Sequence, residues 1–482
     1  MNIKLYTDKE IYDITGYCTS VQVQIGLYAP YQNASVDVKV PLELIRDVLP
    51  HYEETAAIDL DTWIVISDHI EHEGVQRAIF LGRLTAVSYG VEADSAKESA
   101  GIISTPLISI TAQSFIAPLI ESQLYLSAKQ HLKGHIYEVN SYGRLLKSAI
   151  SSAFRNKRNV GRVLHTLYST LSRPYRLPDT LASGKSLKAI PVIYNRKRAE
   201  KYAPQRAELF QHVFGLALNA SHIRPTGAPW SALTALFDAD PSIIELFPSL
   251  EPKSTDERSN RDGNISNALG STPVIMYRLK PFIFKPTTMG AEDNVDPESS
   301  HVQEHARNVK TLITSSEIIR VGFSVKSADR INGVYVDTPL NASRGVDPFG
   351  ILGRPIINDA DVLRSGLRLY RGQWPFFPVG RNTKPESLTR EIQHIIGFVD
   401  QIARDQHRYI NGTATTRQRL DINAGHWIKL EITGPHTHEY LICYVETITH
   451  RSTVFENSII EKRSTISFTR GFYRTGEPEH GH

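Results

Sequence analysis

The chain has 482 residues, 41% of them hydrophobic, a formal net charge of +3 and two cysteines. That length holds about three domains with sizeable cores, which excludes a disordered chain, and near-neutrality excludes a polycation that coats nucleic acid. Cys18 and Cys443 share no CxxC spacing, so neither a disulfide framework nor a zinc knuckle is expected and a reducing compartment is the simpler setting.

Neither an apolar signal core in "MNIKLYTDKE" nor a run of about 18 apolar residues is present, so export and membrane insertion are not expected. From the N-terminus, "SVQVQIGLY" sets Val21, Val23, Ile25 and Leu27 on one face, and "SVDVKVP" does the same with Val36, Val38 and Val40. The turn residues of "APYQNA" between them predict a hairpin. "TWIVIS" (62–67), "RAIFLGRLTAVSYGV" (77–91) and "PLISITAQSF" (106–115) continue the pattern. Short spacing without crossover helices predicts an antiparallel barrel or sandwich over 1–127.

Helical spacing takes over in "YGRLLKSAISSAF", "AELFQHVFGLAL", "APWSALTALF" and "DPSIIELF", the last with Asp240 as a cap before Pro241. Between Arg144 and Arg206 fifteen basic residues face only two acids, Asp179 and Glu200. That segment reads as a protein-partner surface, a solvated helical face or a nucleic-acid site. "STPVIMYRLKPFIFKP" (271–286) is cut by Pro273, Pro281 and Pro286. Because proline cannot donate to a ladder, this run is predicted to be extended and to lie at a sheet edge or along a surface.

"IIRVGFSVKS" and "NGVYVDTP" return to strand character, and "PESLTREIQHIIGFVDQIARDQHRY" sets Leu388, Ile392, Ile395, Val399 and Ile402 on one helical stripe. The closing strands are "GTATTRQRLDI", "HWIKLEI", "EYLICYVETITH" and "RSTISFTRG". In "HWIKLEI" Ile428, Leu430 and Ile432 are predicted to share the core face, and Trp427, Lys429 and Glu431 the other. Ile466 and Phe468 are expected on the core side of the last strand, with Arg470 near its end.

Chemistry-bearing residues are sparse. Asp68, His69, Glu71, His72 and Glu73 in "SDHIEHEG", and His436 and His438 in "GPHTHEY", are metal-ligand types, but both stretches have the composition of exposed hairpin loops. There is no GxSxG elbow, Walker A or GxGxxG pattern. No catalytic residue, metal site or cofactor is therefore expected, and the chain reads as a non-enzyme.

Taken in order, "PSIIELFPSL", "PVIMYRLKPF", "VGFSVKSADRINGVYVDTP", "SGLR", the amphipathic helix, "NGTATTRQRLDINAGHWIKL", "YVETITHRS" and "TISFTRG" resemble the central baseplate hub protein of contractile-tailed bacteriophages, a family related to the base of type VI secretion spikes. The resemblance implies a mainly β fold with a helical insertion: two tail-tube-like antiparallel β-barrels plus a helix-rich domain. The first barrel would be 1–127. The second would be 317–340 with 408–482, and 128–316 with 341–407 would form the helix-rich domain, connector and linker. It implies a homotrimer between a tail tube ring above and a central spike below, with baseplate wedge proteins as further partners. An axial channel would carry DNA transiently, and the protein would sit in the virion baseplate after assembly in the host cytoplasm. Tyr277, Arg278, Lys280, Phe282, Trp427, Lys429 and Arg470 are the expected subunit or domain contacts. A nucleic-acid-binding protein using 144–206, and a hub with peptidoglycan hydrolase activity, are the alternatives.

Overall fold

A computed structural model describes residues 1–7, 10–27, 32–39, 58, 62–70, 75–92, 105–117, 120, 124–125, 192–194, 226–227, 230, 244–252, 271–279, 309, 311–325, 330–337, 356–373, 400, 407, 409–433, 438–454 and 460–475. The N-terminal strands are β1 (Asn2–Tyr6), β2 (Ile11–Asp13), β3 (Cys18–Gly26), β4 (Asn33–Lys39), β5 (Trp63–Ile70), β6 (Val75–Glu92) and β7 (Thr105–Ser114). Short strands β8 (Leu124–Tyr125), β9 (Val192–Tyr194) and β10 (Thr226–Gly227) precede a hairpin-like pair, β11 (Ile244–Pro252) and β12 (Ser271–Leu279). Next come β13 (Leu312–Ile313), β14 (Ile318–Ser324), β15 (Gly333–Asp337), β16 (Ile356–Ile357), helix α1 (Asp359–Ser365) and β17 (Leu369–Gln373). The chain closes with β18 (Ile410–Arg417), β19 (Trp427–Thr433), β20 (His438–Val454) and β21 (Ile460–Thr475).

Thirteen strands form one sheet in the order β14-β18-β21-β20-β3-β4-β7-β6-β5-β1-β2, with β19 on β20 and β13 on β19. The expected β3–β4 hairpin is present, Val21 opposite Val36 and Val23 opposite Ala34. Alternation decides the faces: Val21, Val23, Ile25, Val36 and Val38 are buried, while Gln22 and Ser35 are exposed.

The N- and C-terminal β-regions join through β20. Its first half pairs with β19 and its second half with β3, Ile448 opposite Ile25, while β21 runs along its other edge. Both regions therefore share one sheet and one apolar core, from Ile3 and Val23 to Leu430, Ile448 and Phe468. Among the described residues no ladder closes either half on itself. The long strands bend at register shifts, as between Leu84 and Ala86 and between Ile442 and Tyr444.

The fold is mainly β, but several expectations need correction. Among the described residues α1 is the one α-helix with defined bounds, so a helix-rich domain is not supported. The predicted helices over 142–154, 207–218, 228–237 and 385–409, and the basic segment, fall almost entirely outside the described residues. "IELFPSLEP" is strand β11 rather than a helix end. It pairs residue by residue with β12, Glu245 and all of Phe247–Leu250 are buried, and Pro248 is tolerated in a strand with one neighbour but not in a helix interior. β12 is extended as expected but is the middle strand of the order β11-β12-β9. Pro273 is accommodated because β9 pairs with Ile275–Tyr277, so that among the described residues β11 is the one neighbour at Pro273. β15, placed with β14 in the expected second barrel, pairs with β16 and β17 in a separate three-stranded sheet.

Candidate assembly surface

Three local structures set the geometry. The first is a polar clamp by which β11 and β12 cross between the two β-regions. The buried Tyr444 hydroxyl on β20 donates to Glu245 Oε2 at 2.5 Å, and Asn423 Nδ2 to Ser249 Oγ at 3.2 Å. Towards the N-terminal region, Gln32 Nε2 donates to the Pro248 carbonyl at 2.6 Å and Ser271 Oγ to the Ala78 carbonyl at 3.2 Å. Phe247 sits beside these bonds in the shared core. Each of these four bonds joins the ribbon to a different element, which fixes it in one position.

The second joins two motifs far apart in the sequence. Asn332, from the Asp-Arg-x-Asn turn, donates through Nδ2 to the Gly366 carbonyl at 2.7 Å and to Ser365 Oγ at 3.3 Å. Its Oδ1 accepts from the Arg368 backbone N–H at 2.7 Å, so one side chain holds all of "SGLR". Arg330 of the same turn forms an ion pair with Asp361 of α1, which draws that carboxyl below its usual range chiefly through the hydrogen bond. Gly366 ends α1 at φ 75°, a left-handed conformation suited to glycine.

The third is a buried cluster under the second β-region. Arg419 makes a fork to Asp421 at 2.9 and 2.8 Å and reaches Glu317 Oε1 and the Leu312 carbonyl, both at 2.9 Å. It ties the turn before β14 to the loop after β18. Hydrogen bonds from Thr314 and the Arg419 charge hold Glu317 below the usual range against the opposing effect of burial. Behind it, Ser464 Oγ accepts from the Arg419 backbone N–H at 2.9 Å and lies 2.9 Å from Nδ1 of buried His450.

The contact residues expected from the sequence are scattered. Tyr277 and Arg278 lie on β12, where Arg278 is opposite Glu245; Lys280 and Phe282 lie outside the described residues. Ile428 and Leu430 are fully buried and Ile432 packs on the core, while Trp427, Lys429 and Glu431 are half-buried on the other face, as expected. Trp427 meets Tyr444 and Phe472 with ring centroids 5.2 and 6.5 Å apart, and Lys429 lies between Ile442 and Leu312 on flanking strands. Arg470 is not near the end of its strand, since β21 runs on to Thr475. It occupies a left-handed conformation at φ 55° with its guanidinium 5.6 Å from the Tyr409 ring centroid. "SDHI" is strand rather than loop, and Asp68 there pairs with the N-terminal ammonium at 3.2 Å and Lys462 at 3.7 Å. Among the described residues no group of three or more His, Cys, Asp or Glu side chains converges as a metal site.

Sequence reasoning missed the sheet's ends. β14 pairs on one side with β18, and β2 on one side with β1; among the described residues neither has a second neighbour. β14 and its continuation carry Ile319 (50% exposed), Phe323 (44%) and Val325 (58%), and β2 carries Ile11 (50%). Both β14 and "IYD" carry β-formers, but which strands end a sheet is invisible in a periodicity.

No protein-family model and no curated protein matches the chain. Among solved structures, it is similar to a tail protein from Neisseria meningitidis MC58, at 10% identity and a TM-score of 0.44 over 97% of this chain and 96% of that one. It is also similar to the 43 kDa tail protein of prophage MuSo2 from Shewanella oneidensis, at 10% identity and 0.40 over 97% and 98%. An E. coli component of the type VI secretion system aligns at 6% identity and 0.36 over 97% of this chain and 75% of that one. With identities of 10% or below and TM-scores below 0.5, the assignment of function falls to the chain's own geometry.

Proposed function

We propose that the chain is a structural hub of a phage tail baseplate. Three copies, each contributing two tube-like halves, close into a ring that adapts a hexameric tail tube above to a trimeric spike below. Wedge proteins pack outside, and the axial channel lets the genome pass. The protein acts in the virion tail as a scaffold and not as an enzyme.

The observation that carries this reading is that, among the described residues, β14 and β2 at the two ends of the sheet each have one neighbour and carry exposed apolar side chains. An uncovered edge invites pairing with another chain, and here the two ends differ. β14 of one copy therefore meets β2 of the next head to tail, and such a heterologous contact gives a ring when the rotation closes. The β3–β20 ladder makes the analogous join within each chain.

Light scattering on the purified chain is expected to give the mass of three copies. The double variant Ile319→Lys/Phe323→Lys is expected to fall to one copy with an unchanged melting temperature. A wild-type monomer at micromolar concentration overturns the ring, and peptidoglycan turnover abolished by one carboxylate substitution overturns the scaffold.

A further inference from the structure

The solvent face of the sheet carries two transverse rows whose registers run unbroken across the molecule. In one, Arg417 on β18 lies opposite Arg463 on β21, which lies opposite Arg451 on β20. The row continues through Gln22, Ser35, Thr111 and Ala86 on β3, β4, β7 and β6, and all seven residues are exposed. The adjacent row reads Arg320, Thr415, Thr465, Thr449, Gln24, Asn33, Gln113 and Arg83 from β14 to β6. Neither row contains an acid, an aromatic or a large aliphatic residue.

Three arginines directly opposite one another on neighbouring strands, about 4.8 Å apart per strand, repel and cost stability. Arg463 is relieved by an ion pair with Glu461. Among the described residues no carboxylate pairs with Arg320, Arg417 or Arg451. Such a face fits an anionic ligand that supplies the missing charge. A protein partner would be anchored by aromatic or apolar side chains, and single-stranded nucleic acid by stacking platforms, and the rows offer neither. Arginine, threonine and glutamine are instead donors to phosphate oxygens that read no sequence.

We infer that this arginine row binds the phosphate backbone of double-stranded DNA, independently of sequence. The site is a face of the chain's own sheet, so it stands whether or not the ring closes.

The test uses the full chain and a fluorescein-labelled duplex of mixed sequence, read by anisotropy from 50 to 200 mM NaCl. With three to four phosphates neutralised, affinity is expected to fall roughly 40- to 150-fold over that range. Arg417→Gln/Arg451→Gln/Arg463→Gln is expected to abolish most of the binding while melting no lower than wild type, since the repulsion is gone. The same three positions changed to Lys keep the salt dependence, and Arg364→Gln on α1 leaves it unchanged. If the triple Gln variant proves unstable, Arg451→Gln alone carries the test by lowering the log–log salt slope by about one. Absence of wild-type binding at 50 mM, or a wild-type slope in the Gln variants, overturns the inference. A preference for poly-glutamate over the duplex at equal charge overturns it in favour of an acidic protein. Oligomeric mass, measured on the same samples, reports separately on the ring.

Discussion

His450 is buried at the join between the β-regions, opposite Val23 on β3 and Ser464 on β21. Burial lowers its pKa to about 4, and the charge of Asp421 opposes this only weakly. An unfolded histidine takes up its proton near pH 6.5, so between about 6.5 and 4 the unfolded state binds more protons. Stability is therefore fully present above 6.5 and declines by about 1.4 kcal/mol per pH unit as the pH falls towards 4. Glu317, held below its usual range, adds a second loss below the ordinary carboxylate range. Melting curves between pH 7.5 and 4 are expected to show the decline starting near 6.5, and His450→Gln to remove its upper part. A flat curve between pH 6.5 and 5 contradicts the buried neutral imidazole.

At the scale of the element, β19 shows how a strand presents two unlike faces. Leu430 is fully buried opposite Leu441, while Lys429 is half-buried opposite Ile442. Leu430→Asp places an unpaired charge in the shared core, at a cost of several kcal/mol, and is expected to unfold the chain. Lys429→Asp is expected to keep the fold, because Lys429 is half-buried on the face away from Leu430. Thermal melting of both variants decides it; the opposite outcome means an inverted register. The β14–β18 ladder depends on Gly412 in the same way: a side chain there would meet the Gly322 carbonyl and the Phe468 ring.

At the scale of the molecule, one core and one sheet predict one cooperative transition, although the chain contains two β-regions. The clamp through β11 is a buried side-chain tie between them. Tyr444→Phe removes the hydroxyl that Glu245 accepts from in the dry interior, at an expected cost of about 1–3 kcal/mol. Denaturant unfolding followed by circular dichroism and by tryptophan fluorescence is expected to shift its midpoint equally in both probes. Separate transitions for the two probes show that the regions fold independently.

How much of this was legible in the residues follows from the range of the forces involved. Alternation of apolar and polar side chains is a one-dimensional signal, so it determined β3, β4, β7, β19 and β21 and the core faces of Val23, Leu430 and Phe468, while short apolar runs marked β5, β6 and β20. The ordered motifs "SADRING" and "SGLR" marked residues that do meet, through Asn332. Partner choice between strands is not local. The join of β3 to β20, the reach of Asn423 to Ser249 and the alignment of Arg417, Arg463 and Arg451 come from residues far apart in the chain. "IELFPSLEP" was misread for the same reason: a short apolar run has no decisive period, and its strand state is set by pairing with β12. Which strands end the sheet among the described residues, and with that where the proposed ring contact falls, is decided only once every other strand has found its neighbour, because an edge is what pairing leaves over.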